Sequence, residues 1–136
     1  ELGSTSAMVV CGYGNIDELT TTGPNHISHL HDGKVTTYDI NPEDYGFRGA
    51  HISELLGGDA PTNAAILRGV LSGEISDSKR DVVLLNAGAA LVAAGVAADL
   101  ATGLARAAAV IDSGAALGKL DALIAYSQTF ASQTVA

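Results

Sequence analysis

The sequence is poor in several residue types, and each scarcity narrows what the protein can be. It has no tryptophan, four tyrosines and two phenylalanines, so its core must be built from small and medium aliphatic side chains. The single cysteine, Cys11, excludes an internal disulfide and fits a reducing compartment, from which we expect a cytoplasmic protein. Because Cys11 lies in an apolar run, we expect a small buried side chain rather than a catalytic thiol.

Positive charge is also scarce. The chain has seven lysines and arginines but fifteen aspartates and glutamates, so its net charge is −8. Nucleic acids and anionic membranes are bound by basic patches, so neither is expected as a partner. A small phosphorylated substrate remains possible, because a metal ion can neutralise its charge. With 136 residues, 47% hydrophobic and 16% charged, the chain can bury the core of one domain and is not predicted to be disordered.

The longest apolar run, from Val82 to Leu104, raises the question of a membrane span. Asn86, Asp99 and three glycines interrupt it, and alanine makes up much of the rest. A helix that is apolar all round is also typical of a domain core. We therefore predict a buried core segment and no membrane association.

The stretch that carries the most chemical information follows a short apolar run. Ala7–Cys11 predicts a buried strand, and Gly12-Tyr13-Gly14-Asn15-Ile16-Asp17-Glu18 predicts a tight loop after it. In α/β sheets, ligands bind just beyond the carboxyl ends of strands. The loop therefore brings two adjacent carboxylates, Asp17 and Glu18, to a place where ligands are expected.

Two hypotheses explain this pair of acids. Neighbouring side chains on extended backbone point to opposite sides, so Asp17 and Glu18 suit two cations, or one cation and its water shell, better than one tight chelate. Mg²⁺ typically keeps several waters and is shared between one or two carboxylates and substrate phosphates. The first hypothesis is thus a Mg²⁺–phosphate site with Asp17 and Glu18 as metal ligands. The second is an ordinary solvated acidic turn.

The middle of the chain predicts a β-hairpin. Asp32-Gly33 stands between two β-prone runs, which is a strong short hairpin signal. His29 and His31 are two residues apart and share one face, but with His26 they lack a carboxylate or cysteine at structural-zinc spacing. We interpret the three histidines as exposed residues of an edge hairpin rather than as a metal site. His51 has no partner that the sequence identifies.

The remainder predicts helices. Asp59 before Ala60-Pro61 is typical of an N-cap, and the glycines before it lack the Walker spacing. Ser78-Lys79-Arg80-Asp81 resembles a capping box, and Asp99 starts a further helix. Asn86 needs a hydrogen-bond partner if it is buried, and we expect a structural bond to a neighbouring loop, with substrate contact as the alternative.

Taken in order, these segments resemble anthranilate phosphoribosyltransferase. The family has a Gly-x-Asp-Gly-x-Asp-Glu pattern after a strand, and here Gly14-Asn15 replaces its Asp-Gly while Asp17-Glu18 is kept. The resemblance spans nearly the whole chain with its spacing preserved, through a set of short segments: 41–46, 56–60, 63–64, 80–87 and 111–115.

The resemblance implies a fold and an activity. It implies an α/β fold, in which residues 1–136 form the carboxyl-terminal part of a nucleoside phosphorylase/phosphoribosyltransferase-like catalytic domain: helices packed on a partial sheet with a β-hairpin. A helical domain and the phosphate loop would lie upstream, and Glu1-Leu2-Gly3 would be the end of a helix. The implied substrates are phosphoribosyl pyrophosphate and anthranilate, with Mg²⁺ held by Asp17 and Glu18, in a protein that is a homodimer when complete and serves tryptophan biosynthesis.

Two other functions remain open. A nucleoside phosphorylase of related architecture would use free phosphate and would not need the acid pair. A non-catalytic binding module derived from the same fold would need neither substrate. No Ser-His-Asp, Cys-His or paired-acid hydrolase arrangement is present, so the two acids are expected to be metal ligands rather than a general acid and base. This chain alone is expected to be inactive.

Overall fold

The structure, a computed structural model, describes residues 3–131. Three strands come first, β1 (Ser6–Cys11), β2 (Asn25–His31) and β3 (Lys34–Ile40). Two short 3-10 turns follow, Pro42–Tyr45 and Ile52–Glu54. Four helices complete the fold, α1 (Ala60–Ser72), α2 (Ser78–Ala93), α3 (Leu100–Asp112) and α4 (Ala115–Ala131). The predicted α/β architecture of helices on a partial sheet is thus confirmed. Glu1 and Leu2 of the expected amino-terminal helix end lie outside the described residues.

The sheet is antiparallel, in the order β1-β2-β3. The predicted hairpin is confirmed, since His31 pairs with Lys34 across a turn in which Asp32 and Gly33 have φ of 49° and 72°. Both residues of such a turn need positive φ, which explains why Asp-Gly is the pair found there. The turn fixes the register of β2 and β3, and so determines which side chains face the helices.

The core lies between this sheet and α2. One cluster joins Ile27 and Ile40 of the sheet to Leu85 and Ala89 of α2, with Leu19 from the loop before β2. A second cluster lies on the other side of α2, where Leu84 packs with Ala107 and Ile111. Because α2 is covered on two sides, its sequence is apolar nearly all round. The core-segment prediction for the run from Val82 is confirmed, and no helix among residues 3–131 is long and apolar enough to cross a membrane.

Helices α2 and α3 cross at two glycines. A Cβ built on Gly103 would lie 2.4 Å from the carbonyl oxygen of Gly88, which is closer than any real contact. The two backbones therefore touch directly. This close crossing packs α3 against α2 and fixes the position of α2. Helix α2 also carries Asn86.

Two local predictions are wrong. Cys11 is exposed rather than buried, because β1 is an edge strand whose outer face is uncovered in the described part of the chain. The N-cap of α2 is Asp77, which accepts a hydrogen bond from the Lys79 amide, rather than Ser78. The prediction that Asp99 starts a further helix is confirmed, since α2 ends at Ala93 and Asp99 caps α3.

Candidate functional site

The acid pair lies at the end of a tightly folded loop after β1. The Gly12 amide donates to the carbonyl of Ile16 at 2.7 Å, and the Asn15 amide donates to the carbonyl of Gly12 at 3.1 Å. Gly14 and Asn15 have φ of 76° and 63°, so the turn keeps the left-handed backbone that glycine and asparagine tolerate. A Cβ on Gly12 would lie 2.4 Å from the Glu18 carbonyl oxygen. Only glycine at position 12 lets the chain fold back this closely.

Asp17 and Glu18 follow this turn and are both exposed. Within residues 3–131, neither carboxylate accepts a hydrogen bond or joins an ion pair. No group of three or more histidines, cysteines, aspartates or glutamates suited to a metal ion occurs among the described residues either. Among residues 3–131, the two carboxylates therefore keep their oxygen lone pairs free for a ligand.

The chain leaves the acid pair through a segment fixed by two asparagines. The Leu19 amide donates to Oδ1 of Asn86 at 3.0 Å, and Nδ2 of Asn86 donates to the Leu19 carbonyl at 2.7 Å. The next residue is held in the same way, because Thr20 exchanges bonds of 2.7 and 3.0 Å with the side chain of Asn25. The predicted structural bond from Asn86 to a neighbouring loop is confirmed.

Two clefts adjoin the acid loop. One, of about 360 Å³, is lined by Tyr13, Gly14, Ile16, Thr22, Ala50, His51 and Ile52. The other, of about 540 Å³, is lined by Glu18 and Asn86 together with Ile16, Leu19, Thr20, Ile52, Leu55, Val82 and Val83. No lysine or arginine lines either cleft in the described part of the chain. The clefts can enclose the apolar parts of a ligand, but phosphate groups would need cationic partners from elsewhere.

The turn that borders both clefts is fixed by Glu54. This carboxylate accepts hydrogen bonds from Arg48 at 2.5 Å, from the Ser78 hydroxyl at 2.9 Å and from the His51 amide at 2.8 Å. The His51 amide, followed by Arg48 and Ser78, lowers the pKa of Glu54 to about 2. Lys79 also donates to the Glu54 carbonyl, so the turn is attached to the start of α2.

His51, for which the sequence identifies no partner, is the N-cap of this turn. Its Nδ1 accepts from the Ser53 amide at 3.3 Å, and Glu54 completes the capping box. The spacing of His51 and Glu54 is that of a capping box, but histidine is not among the usual capping residues, so this signal was missed. Asn25 was missed as well, because its partner Thr20 only becomes identifiable once the loop before β2 is folded.

The other candidate residues lie away from the acid pair. His29 and His31 share one face, as predicted, with ring centroids 5.7 Å apart. The prediction that all three hairpin histidines are exposed is wrong for His29, which lies on the central strand facing the helices and whose Nε2 is buried. His26 pairs with Asp39 on the outer face at 2.6 Å. Asp59 accepts from the Thr62 amide as the N-cap of α1, so the structural interpretation of Gly57-Gly58-Asp59 is confirmed.

The donor chemistry of the loop fits Mg²⁺. The ion prefers oxygen ligands, retains several waters and is usually held by one or two carboxylates together with substrate phosphates. Two exposed, unpaired carboxylates on a rigid loop match that requirement. Structural zinc sites are built from cysteine and histidine ligands, and Asp17 and Glu18 supply neither.

Comparison with known proteins identifies the family to which the chain belongs. Residues 1–117 match the family described as the glycosyl transferase family, a/b domain. The chain belongs to this family. Among curated members, it is 50% identical over 127 residues to an anthranilate phosphoribosyltransferase of Desulfatibacillum aliphaticivorans, covering 93% of this chain and 37% of that protein. It is 51% identical over 130 residues to that of Rhodopseudomonas palustris strain BisB18, covering 96% and 38%. This member of the glycosyl transferase family thus spans little more than a third of the length of these relatives.

Solved structures agree with the family assignment. Anthranilate phosphoribosyltransferase from Thermus thermophilus superposes with a TM-score of 0.80 at 36% identity, covering 89% of this chain and 35% of that one. The Saccharomyces cerevisiae enzyme in complex with PRPP (phosphoribosyl pyrophosphate) and Mg superposes with a TM-score of 0.76 at 25% identity, covering 85% and 33%. The family member described here therefore shares its fold with about one third of each relative.

Proposed function

We propose that this chain is the carboxyl-terminal part of an anthranilate phosphoribosyltransferase, an enzyme that transfers the phosphoribosyl group from phosphoribosyl pyrophosphate to anthranilate. The observation that carries the proposal is about 50% identity, over 93% of the chain, to proteins with that name. The unpaired acid pair after β1 supports it, because a pyrophosphate donor is ordinarily bound with a divalent cation. Tryptophan biosynthesis, a cytoplasmic location and a homodimeric complete enzyme follow from the same resemblance.

The chemistry of this transfer explains why carboxylates are needed. The bond between ribose C1 and the pyrophosphate oxygen breaks, the sugar acquires oxocarbenium character, and the amine of anthranilate forms the new bond at C1 and then loses a proton. Bound Mg²⁺ would stabilise the charge that develops on the departing pyrophosphate.

We propose that Asp17 and Glu18 hold this metal. Their oxygens have no partner in the part of the chain that the structure describes, and the backbone that carries them is fixed by the Gly12–Ile16 bridge on one side and by Asn86 on the other. Preorganised charge of this kind costs no rearrangement at the moment of reaction. Neither acid is proposed as a proton donor or acceptor, because their exposed positions match those of ligands that share an ion with solvent and substrate.

We further propose that these 136 residues are not sufficient for turnover. The two clefts beside the acid loop are lined mainly by apolar side chains, and no lysine or arginine lines them in the described region. Phosphate groups are normally held by basic side chains or by backbone amides at a helix start. The proposal is that the remaining length found in the relatives supplies these donors.

The competing functions predict different substrates. A nucleoside phosphorylase would consume a nucleoside and free phosphate, and a binding module would consume neither. The acid pair favours the pyrophosphate donor over both, because free phosphate carries less charge to be stabilised and a binding module needs no metal at all.

The decisive experiment follows anthranilate fluorescence and pyrophosphate release together in the full-length protein that contains this sequence. We expect both signals to require phosphoribosyl pyrophosphate and Mg²⁺, with one pyrophosphate released for each anthranilate consumed. Phosphate-dependent cleavage of a nucleoside would support the phosphorylase instead. Absence of both phosphoribosyl transfer and nucleoside cleavage would support the binding module.

A second experiment tests sufficiency. The 136-residue chain is assayed alone and after mixing with the separately produced remainder of the protein. We expect no turnover by the chain alone and partial recovery on mixing. Turnover by the chain alone at a rate comparable to the full-length protein would refute the partial-enzyme proposal.

A further inference from the structure

We propose that Asn86 is a positioning residue for the acid pair: it holds the backbone next to Glu18 in the conformation that binds the metal. The inference rests on the proposed function, because it assumes that Asp17 and Glu18 are metal ligands. It goes further by assigning a role to a residue of α2 that lies 67 positions away from Leu19 along the chain.

The hydrogen bonds between Asn86 and Leu19 form a clamp on the backbone next to Glu18. Asn86 uses both ends of its carboxamide on one residue, accepting from the Leu19 amide at 3.0 Å and donating to the Leu19 carbonyl at 2.7 Å. A pair of opposed hydrogen bonds fixes both the position and the rotation of the peptide units on either side of Leu19. One of these units is the bond between Glu18 and Leu19, so the clamp acts directly on the backbone of a proposed ligand.

The side chain of Asn86 is itself held in place. Its Nδ2 makes a further hydrogen bond to the Val82 carbonyl, one turn earlier in α2, at 2.9 Å. This bond orients the carboxamide before any ligand arrives. Helix α2 is in turn fixed by the sheet on one side and by α3 on the other. The position of the acid pair is therefore set by a helix that is packed on two sides as well as by its own loop.

Asn86 and Glu18 line the same cleft, of about 540 Å³. An asparagine that served only to bond the Leu19 amide and carbonyl could approach Leu19 from any direction. This one reaches it from within the proposed site, where supporting groups around a metal are found.

The neighbouring asparagine provides a matched control. Asn25 makes the same two-way bond to Thr20, one residue further from the acids, and it is almost completely buried. Its loss should cost more stability than the loss of Asn86, because it leaves buried polar groups unpaired. If Asn86 were merely structural, the effects of the two asparagines on metal binding would follow their effects on stability.

The experiment compares Asn86→Asp and Asn25→Asp in the full-length protein. The aspartate keeps the shape and the acceptor but removes the donor that bonds the backbone carbonyl. The readouts are the melting temperature, Mn²⁺ binding in the presence of phosphoribosyl pyrophosphate, and the Mg²⁺ concentration that gives half-maximal turnover. For Asn86→Asp we expect about 10-fold weaker Mn²⁺ binding and a similar rise in the Mg²⁺ requirement, as found when supporting groups around metals are removed. For Asn25→Asp we expect a larger drop in melting temperature and a smaller change in metal binding.

If Asn86→Asp folds poorly, the Asn86→Ala variant and amide hydrogen exchange, which needs no metal, provide the test. Asn86→Ala removes the clamp without adding charge, and amide hydrogen exchange at Leu19 should then become faster while exchange in α3 is unchanged. Unaltered exchange at Leu19, or metal binding that falls in proportion to stability in both asparagine variants, would overturn the inference. If instead Asp17→Asn and Glu18→Gln leave metal binding intact, the proposed metal site fails, and this outcome is distinct from a failure of the clamp.

Discussion

Two acidic sites in this molecule use the same functional group in opposite ways. Glu54 accepts three hydrogen bonds, and these bonds lower its pKa to about 2. Asp17 and Glu18 accept none among residues 3–131, although the backbone beneath them is held firmly. A carboxylate whose oxygens are already occupied stabilises the fold, whereas one that is kept unpaired on a rigid support can accept a ligand. The contrast distinguishes an acid that stabilises the fold from an acid pair whose oxygens are available to a ligand.

The largest expected effect comes from neutralising the unpaired acids. In the full-length protein, Asp17→Asn and Glu18→Gln should each reduce turnover by roughly 10²- to 10³-fold, the usual cost of losing one electrostatic contact to the transition state. Melting temperatures should change little, because neither carboxylate has a partner to lose within the described part of the chain. Steady-state kinetics across a Mg²⁺ titration measure the effect, and anthranilate KM should change much less than turnover.

The control for this experiment is Asn15→Gly. Asn15 has φ of 63°, so alanine would strain the turn while glycine adopts this backbone freely. Asn15→Gly should therefore keep nearly full turnover. Full turnover at low Mg²⁺ in the Asp17 and Glu18 variants would show that the acid pair is a solvated turn. Asp17 and Glu18 would then no longer be functional acids to set against Glu54.

The next largest effect concerns the contribution of Glu54 to stability at low pH. Because its folded pKa is lowered from 4.5 to about 2, its contribution to stability is complete above about pH 4.5 and is lost as the pH falls toward 2. In Glu54→Gln, the free energy of unfolding should be lower at neutral pH and should depend less steeply on pH between 4.5 and 2. Urea denaturation at a series of pH values checks this.

Glu74→Gln is the matched control for that measurement, since Glu74 is exposed and outside the hydrogen-bond network of Glu54. Its pH profile should follow that of the unmodified protein. Identical profiles for Glu54→Gln and the unmodified protein would mean that the three hydrogen bonds of Glu54 do not stabilise the fold.

The smallest expected effect comes from a third acid, the helix cap Asp77. Asp77→Ala removes the acceptor for the Lys79 amide at the start of α2 and should cost about 1 kcal/mol of stability. Turnover at saturating substrate should be nearly unchanged, because α2 remains held by the sheet and α3. Thermal unfolding and kinetics on the same preparation test both statements, and Asp77→Asn, which preserves capping, should behave like the unmodified protein. A large loss of turnover in Asp77→Ala would show that structural and functional acids are not separable here.

Local signals in the sequence predicted much of this fold. The Asp32-Gly33 turn and the Asp59 cap were readable because each depends on residues next to one another. The tight loop with Gly14 and Asn15 is predicted for the same reason and is confirmed, and both residues have left-handed backbone. The acid pair was identified as a candidate site from its position after a strand.

Most of what the sequence does not predict depends on how separate segments of the chain pack together. Cys11 was expected to be buried because its neighbours are apolar, but exposure depends on what covers the outer face of β1. The roles of Glu54 and Asn25 were missed for a related reason. Glu54 acts through Ser78, 24 positions later, and the importance of Asn25 depends on the path of the loop before it.

The bond between Leu19 and Asn86 has a consequence for the order of events during synthesis. The loop with Asp17 and Glu18 is translated first, and 67 residues separate Leu19 from the side chain that fixes it. At about 5–20 residues per second, the ribosome needs roughly 3–13 s to add that length. During this interval the acids are present but their backbone is not yet fixed. A nascent chain halted before Asn86 should therefore carry the complete acid motif without a metal-binding conformation.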